Sequence, residues 1–378
     1  MSTATKEKTL VVIQLTGGND FMNTVVPYNN EHYYDARKKI VISQNDVLPI
    51  NDTLAINNNA RPLKRLFDEG KVAIVQGIGY PNSNRSHFRG MDIWHTCEPD
   101  RVGSEGWLGL AIKDLDPKGE NVLTGVNIGQ GLPRAMSVAG VPITSVGDLE
   151  GYGVMNKIEQ ERLKERSLQA FKDIYGQAIG SGQVAEYIGK TGLDVLKGAD
   201  LLANVANQYK SSVEYADNSI AKSLRDVARV HFANLGTRVF YTNHGGYDTH
   251  ANEMPTHPKL LSDLSGAISD FMDDLKEHDA ADDVAILVFT EFGRRMRDNG
   301  SGTDHGSGGG AFLIGNNVKG GLYSEYPSLN PNDWEHGEDL KHTIDFRGIY
   351  GTVLEQWLGL DAKPIVKGEF EQIKPFYI

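Results

Sequence analysis

Cysteine is almost missing from this chain. Cys97 is the single one in 378 residues, which excludes an internal disulfide and any metal site built on clustered thiolates. In "DIWHTCEP" it reads as a small buried filler and not as a nucleophile. Positive charge is also in deficit: 38 Lys and Arg stand against 50 Asp and Glu, a formal net charge of −12. Nucleic acid is therefore not an expected partner, because such binding rests on a basic patch. No apolar run approaches the roughly 18 residues that a bilayer span requires, so no membrane partner is expected either. The opening "MSTATKEKTL" lacks an apolar signal core. The chain as written is expected in the cytoplasm, or in the periplasm or outside the cell if a leader has been removed. Phosphate-loop signatures fail as well. "GKT" at 189–191 has Val184 where the loop needs glycine, and "GSGGG" at 306–310 lacks the Lys-Ser/Thr ending.

What is present is a set of β-forming runs: "TLVVIQLT" at 9–16, "VAIVQGIG" at 72–79, "TRVFYTN" at 237–243 and "DVAILVFT" at 283–290. They are nearly continuous in apolar residues instead of alternating, as strands buried on both faces of a mostly parallel sheet are. Helical patterns lie between them. Leu260, Leu261, Leu264, Ile268, Phe271, Met272 and Leu275 recur at helical spacing, and "FRGIYGTVLEQWLG" at 346–359 predicts a closing helix. Alternation of this kind predicts an α/β fold, a mostly parallel central sheet flanked by helices. From about 154 to 233 the sequence turns polar and helix-forming. We expect one domain over 1–378 with this stretch as a helical insertion that folds back beside the core.

Each strand run is followed at once by polar residues. "TGGND" carries Asn19 and Asp20; "YPNSNRSHF" carries Arg85, Ser86 and His87; "HGGYDTH" carries His244, Asp248 and His250. "EFGRR" carries Glu291 and Arg294, and "GTDHG" carries Asp304 and His305. The carboxyl ends of parallel strands line one edge, where ligands bind, so these clusters should converge. Carboxylates and imidazoles without thiolates suit a divalent metal, zinc foremost, with manganese, magnesium or iron as the others. Metals could clamp the attacking and leaving oxygens of a phosphoryl or sulfuryl group. Ser86, opening a helix, would have backbone N–H groups aimed at a bound anion and could attack it. Arg85 or Arg294 could grip its outer oxygens.

Plainer roles compete with these. Asp in "GGND" is often only a turn residue, and Ser86 fits a helix N-cap equally well. His87 and His95 fit structural or supporting positions on their helix. The other histidines have no strand-end context.

The order "GGNDFMNTVVPY", "RSHFRGMDIWHT", "GWLG", "GGYDTH", "TEFGRR", "GTDHG", "VKGG", "DFRGIYGTVLEQWLG" resembles the bacterial domain-of-unknown-function family 1501, over nearly the whole chain. That family is related to the alkaline phosphatase–sulfatase superfamily. The resemblance implies an alkaline phosphatase-like α/β sandwich with metal-assisted hydrolysis of phosphate or sulfate esters of small molecules or glycans. It also implies metal ligands at Asp20, Asp248, His250, Glu291, Asp304 and His305 and a nucleophile at Ser86; we expect Ser86 or water to attack and Arg294 to position the ester. Two departures stand out: Asp248 and His250 lie closer in sequence than the superfamily's ligands, and Phe292, not His, follows Glu291. The alternatives are a non-catalytic metal- or anionic-glycan-binding protein on the same fold, and a phosphomutase with the helical segment as its cap.

Overall fold

The apolar runs fold as strands because both of their faces are covered. The computed structural model describes residues 7–150, 160–179, 182–202 and 205–377. Along it come β1 (Thr9–Thr16), the short strands β2 (Val25–Val26), β3 (Val47–Pro49) and β4 (Ala55–Asn57), then β5 (Val72–Gly79), β6 (Gly125–Ile128) and β7 (Thr144–Val146). After the helical middle follow β8 (Val239–Gly245), β9 (Val284–Thr290), the hairpin β10 (Arg294–Asp298) and β11 (Thr303–His305), β12 (Gly309–Ile314), β13 (Gly321–Tyr323) and β14 (Ile344–Asp345). The main sheet has nine strands in the order β13-β5-β12-β9-β1-β8-β6-β7, with β14 also on β5. β12 is antiparallel to both of its neighbours, β5 and β9, and the other pairings are parallel. This is the mostly parallel sheet that the apolar runs predict.

The helices are α1 (Phe21–Thr24), α2 (Glu31–Ala36), α3 (Arg61–Asp68), α4 (His87–Thr96), α5 (Trp107–Leu115), α6 (Glu161–Ala178) and α7 (Gln183–Leu202). They continue with α8 (Val205–Gln208), α9 (Ser219–Phe232), α10 (Glu253–Glu277), α11 (Phe346–Thr352) and α12 (Ala362–Val366). Side chains alternate across β1. Val11, Ile13 and Leu15 enter one core with α9 and α10 residues such as Leu224, Val227, Leu264 and Phe271. Leu10 and Val12 enter the other, with Trp94, Trp107, Tyr350 and Trp357. Each such buried side chain contributes about 1.5–3 kcal/mol relative to exposure, which is why neither face of the strands can afford polar alternation.

Of the helical segment expected at 154–233, residues 154–159, 180–181 and 203–204 lie outside the described residues. α6 and α7 pack on each other, while α9 packs on α10 and carries core side chains. The expected closing helix is α11, followed by a wider π-type turn at Val353–Trp357.

The register sets the site. Thr16 pairs with Gly245, and Leu15 with Thr290, so β1, β8 and β9 end at one level. The segments that follow them therefore emerge side by side. Because β12 runs the opposite way, with Gly309 beside Ile78 of β5, its leading segment, Asp304 and His305 included, arrives at the same edge. "TGGND" answers to this crowding. Gly17, at φ +123°, passes so close to Asp248 that a Cβ would lie 2.3 Å from its backbone nitrogen. Gly18, at φ +78°, would drive one to 2.4 Å from the Phe292 ring. Only glycine accepts both the dihedral and the approach.

Candidate metal centre

Three imidazoles meet one carboxylate at this edge. His87 opens α4, Asp248 and His250 lie in the loop after β8, and His305 ends β11. One donor atom each from His87, Asp248 and His305 lies within 4.8 Å of the others. His250 joins them, its Nε2 2.8 Å from His305 Nε2 and 3.1 Å from Asp248 Oδ1.

Each ring is oriented from behind. His87 Nδ1 faces Glu291 Oε1 at 2.9 Å, His250 Nδ1 faces Asp304 Oδ1 at 3.0 Å, and His305 Nδ1 faces the Arg85 carbonyl at 2.7 Å. All three partners accept hydrogen bonds, so each Nδ1 carries the proton and each Nε2 is left as a donor of its lone pair. The Nε2 atoms then point inward. His305 Nε2 is 3.0 Å from Asp248 Oδ1, and His87 Nε2 is 3.3 Å from Asp248 Oδ2. His87 Nε2 is also buried and has no hydrogen-bond partner. Two imidazole lone pairs 2.8 Å apart repel unless a cation or additional protons lie between them. A nitrogen- and oxygen-rich donor set whose histidines are anchored through their second nitrogen fits a divalent cation.

The surroundings tune these groups. Burial works to raise Asp248, but Arg294, joined by His305 whenever its Nε2 also carries a proton, outweighs it and holds the carboxyl well below the usual carboxylate range. The His250 hydrogen bond is the main reason that Asp304 is lowered. The Glu291 hydrogen bond raises His87, and burial lowers His305.

The other expected site residues are placed as follows. Glu291 is fully buried, accepts the Gly17 N–H at 2.9 Å, and stands behind His87 instead of facing the opening. Arg294 is buried too. It donates to the carbonyls of Gly18 (2.7 Å), Thr303 (2.8 Å) and Tyr247 (2.9 Å), to that of Gly17, and to Asp248 at 2.8 Å. Its guanidinium ties three loops together and is turned inward, so it holds Asp248 and has no fork left for an ester's outer oxygens. Asp20 goes elsewhere. Its carboxylate caps α1 through the Asn23 N–H at 3.2 Å and pairs with Arg37, both side chains fully buried. A group so enclosed and already neutralised does not join the open cluster. Ser86 occupies the N-cap position of α4, exposed and without a side-chain cap bond. Arg85 pairs with Asp339 at 2.7 Å. Cys97 is buried, the filler that its sequence context predicts.

Three participants escaped the sequence reading. His87, whose place in the sequence fits a supporting role, supplies a converging nitrogen; the signal for it is its place beside Ser86 at a helix start after a strand. Arg37 and Glu253 meet Asp20 from distant segments, and nothing in "EHYYDARKK" or "HANEMPTH" announces it.

The fold and this donor set define an α/β protein with a histidine–aspartate centre at the carboxyl edge of a mostly parallel sheet. Residues 79–367 match the model of the family described as Protein of unknown function (DUF1501), and the chain belongs to that family. No curated protein matches the sequence. Similar solved structures include a protein in the alkaline phosphatase superfamily from Vibrio parahaemolyticus, with 14% identity and a TM-score of 0.44 over 98% of this chain and 71% of that one. PsFucS1 sulfatase from Pseudoalteromonas sp. is 12% identical, with a TM-score of 0.42 over 98% and 71% of the two chains. An alkaline phosphatase from the Antarctic bacterium TAB5 is 11% identical, with a TM-score of 0.36 over 84% and 95%. Among the described residues no helix is long and apolar enough to cross a membrane.

Proposed function

We propose that this protein is a divalent-metal-dependent hydrolase of phosphate or sulfate esters. The observation that carries the reading is the convergence of three Nδ1-anchored imidazoles on Asp248. His87, Asp248 and His305 would hold the cation, with His250 beside them. A cation bound there would supply Lewis-acid polarisation of an ester oxygen. Zinc suits the imidazole-rich set best, and manganese or iron are compatible with it.

The chain's own groups supply the rest. The first intrahelical bond of α4 runs from the Gly90 N–H to the Ser86 carbonyl at 2.7 Å. The N–H groups of His87, Phe88 and Arg89 therefore precede it, at the positive end of a ten-residue helix whose first residue is a cluster member. A tetrahedral anion is favoured there by charge and by hydrogen bonding. Ser86, or a water in its place, gives its proton to the departing ester oxygen as the new bond to phosphorus or sulfur forms and the ester bond breaks; on the Ser86 route a water then cleaves the seryl ester and restores the hydroxyl. The buried Glu291 and the Arg294 clamp keep His87 and Asp248 in place throughout.

The test is metal content by mass spectrometry of purified protein, followed by turnover of aryl phosphate, phosphate-diester and sulfate esters with and without chelator. The reading expects bound zinc, manganese or iron and chelator-sensitive turnover of at least one ester class. Negligible metal after loading, or no turnover of any class by the loaded protein, would overturn it. Ser86→Ala separates the two attackers: turnover lost with metal retained assigns the attack to Ser86, and turnover kept assigns it to water.

A further inference from the structure

α4 is a partition. On one side His87 enters the metal centre, and Gly90, one turn on, packs so closely that a Cβ would lie 3.2 Å from Phe292 and 3.3 Å from the Glu291 carbonyl. On the next face, Phe88, Met91, Asp92 and His95 follow at helical spacing and line a cleft of about 360 Å³. The ends of β1, β8 and β6 close that cleft with Gln14, Thr16, Tyr241 and Asn127. Thr16 directly precedes Gly17, and Phe88 directly follows His87, so the cleft adjoins the centre across one residue on each side.

Its floor has an unfinished hydrogen-bond network. Gln14 is 2% exposed, and its Oε1 accepts from the Tyr241 hydroxyl and lies 2.7 Å from His95 Nε2. Its Nε2 has no partner, although a buried amide ordinarily finds one. Reversing the amide exchanges an orphan donor for an orphan acceptor, equally neutral. His95 is neutral as well, since burial pushes it down to about 4. The charged residues on the lining, Asp92 and Arg134, are closed on each other at 3.0 Å. Over this uncharged polar floor stand Phe88, 91% exposed, and Leu132, 50% exposed.

We propose that this cleft is a subsite for a neutral, hydroxyl-rich group, a sugar ring, and that it holds the leaving group of the ester. A hydroxyl completes Gln14, and the apolar face of the ring lies against Phe88. The leaving-group assignment rests on the hydrolase reading above, whereas the sugar contact does not.

The test is saturation-transfer NMR on the full chain as purified, with methyl glucoside, methyl galactoside and methyl N-acetylglucosaminide as probes and methyl glucuronoside as the charged counterpart. Transfer to at least one neutral glycoside is expected, with little to the glucuronoside. Gln14→Leu and Phe88→Ala should each weaken it about tenfold, the scale of one lost buried contact. Phe88→Ala alters only an exposed side chain, so it remains decisive even if Gln14→Leu does not fold. No transfer to any neutral glycoside, or undiminished transfer in Phe88→Ala, overturns the subsite even if esters are hydrolysed. Sugar binding without ester turnover keeps the subsite and removes the hydrolase reading.

Discussion

Two polar clusters sit a few residues apart at the end of β1, and they are built on opposite principles. Around Asp20 everything is enclosed: Asp20, Arg37 and Glu253 are fully buried. Arg37 also donates to the carbonyls of Met296 (3.1 Å) and Arg295 (2.9 Å). Glu253 accepts from Asn23 at 2.9 Å and from the hydroxyls of Thr303 (3.1 Å) and Thr249 (3.3 Å). Around Asp248 the groups are open, with Asp248 47% and His250 41% exposed. Here acceptors and lone pairs outnumber donors. The first cluster satisfies itself, as buried charge must. In the second, Arg294 meets one side of Asp248, but the inward imidazole nitrogens are left unanswered and face the opening. Proximity to a strand end is thus not enough to mark a functional carboxylate; Asp20 and Asp248 each have an arginine, but only Asp248 stays open and faces converging imidazole nitrogens.

The sharpest way to break this contrast is to remove one member of the open cluster. His305→Ala should lower ester turnover by about a thousandfold, more than the ten- to hundredfold typical of losing a group behind a ligand. Bound metal, read by mass spectrometry, should fall with it, while the melting temperature changes little. A variant that keeps its metal would mean that His305 is not a ligand. Next comes the enclosed cluster. Arg37→Met should leave metal content intact but cost about 3–5 kcal/mol of stability in denaturant titration, because Asp20 would be left charged and unpaired. Loss of metal without loss of stability would invert the comparison.

A smaller effect separates the two clusters by pH. Burial first, and the Asp20 charge second, push Glu253 from its ordinary 4.5 up to about 8. Between those values the folded chain holds a proton that the unfolded chain has released. The resulting stability is complete below the unfolded value and fades as pH rises towards the folded one. Glu253→Gln removes this slope and should gain about 1–3 kcal/mol on the parent between pH 5 and pH 8. For Asp20, burial alone acts upward, but Arg37 overrides it and the net shift is downward. Its contribution is present above the unfolded value and disappears on acidification, in a different window. Equal slopes for parent and variant across pH 5–8 would show that Glu253 is charged in the folded state.

The sequence carried the scaffold better than the chemistry. Runs 9–16 and 72–79 are strands with those same bounds, and 283–290 differs by one residue, because uninterrupted Val and Ile fit only a strand covered on both faces. The run at 237–243 is displaced to 239–245, since pairing with β1 carries His244 and Gly245 into the ladder. β12 was hidden by its glycines, which suggest a loop, yet Gly310 is required because a Cβ there would lie 2.1 Å from the Phe21 ring. Asp248 and His250 follow the aligned strand β8, and Asp304 and His305 lead into the antiparallel β12, so the two segments meet at one edge. What the pattern could not supply was the inward partner of each charge. Arg37 and Arg294 act over long sequence separations, and only the folded chain reveals that one neutralises Asp20 and the other stitches Gly17, Gly18, Tyr247 and Thr303 around Asp248.

The finest division lies inside the open cluster, between the carboxylates behind its histidines. Glu291 is fully enclosed, held by the Gly17 N–H at 2.9 Å and by the Thr290 hydroxyl at 3.1 Å, and it fixes His87. Asp304 is 43% exposed and anchors His250 with help from Asn299 at 3.2 Å and Arg295 at 3.6 Å. The same pairing of groups should therefore be worth different amounts. Glu291→Gln offers His87 Nδ1 either an amide donor or a weaker acceptor in a site that water cannot repair, so metal affinity should fall roughly ten- to hundredfold. Asp304→Asn faces solvent, where water can take over as acceptor for the His250 proton, and only a few-fold loss is expected. Metal competition against a chromogenic chelator measures both on one scale. Equal losses would mean that burial does not set the strength of these anchors; a larger loss for Asp304→Asn would make His250, and not His87, the imidazole on which the cation chiefly depends.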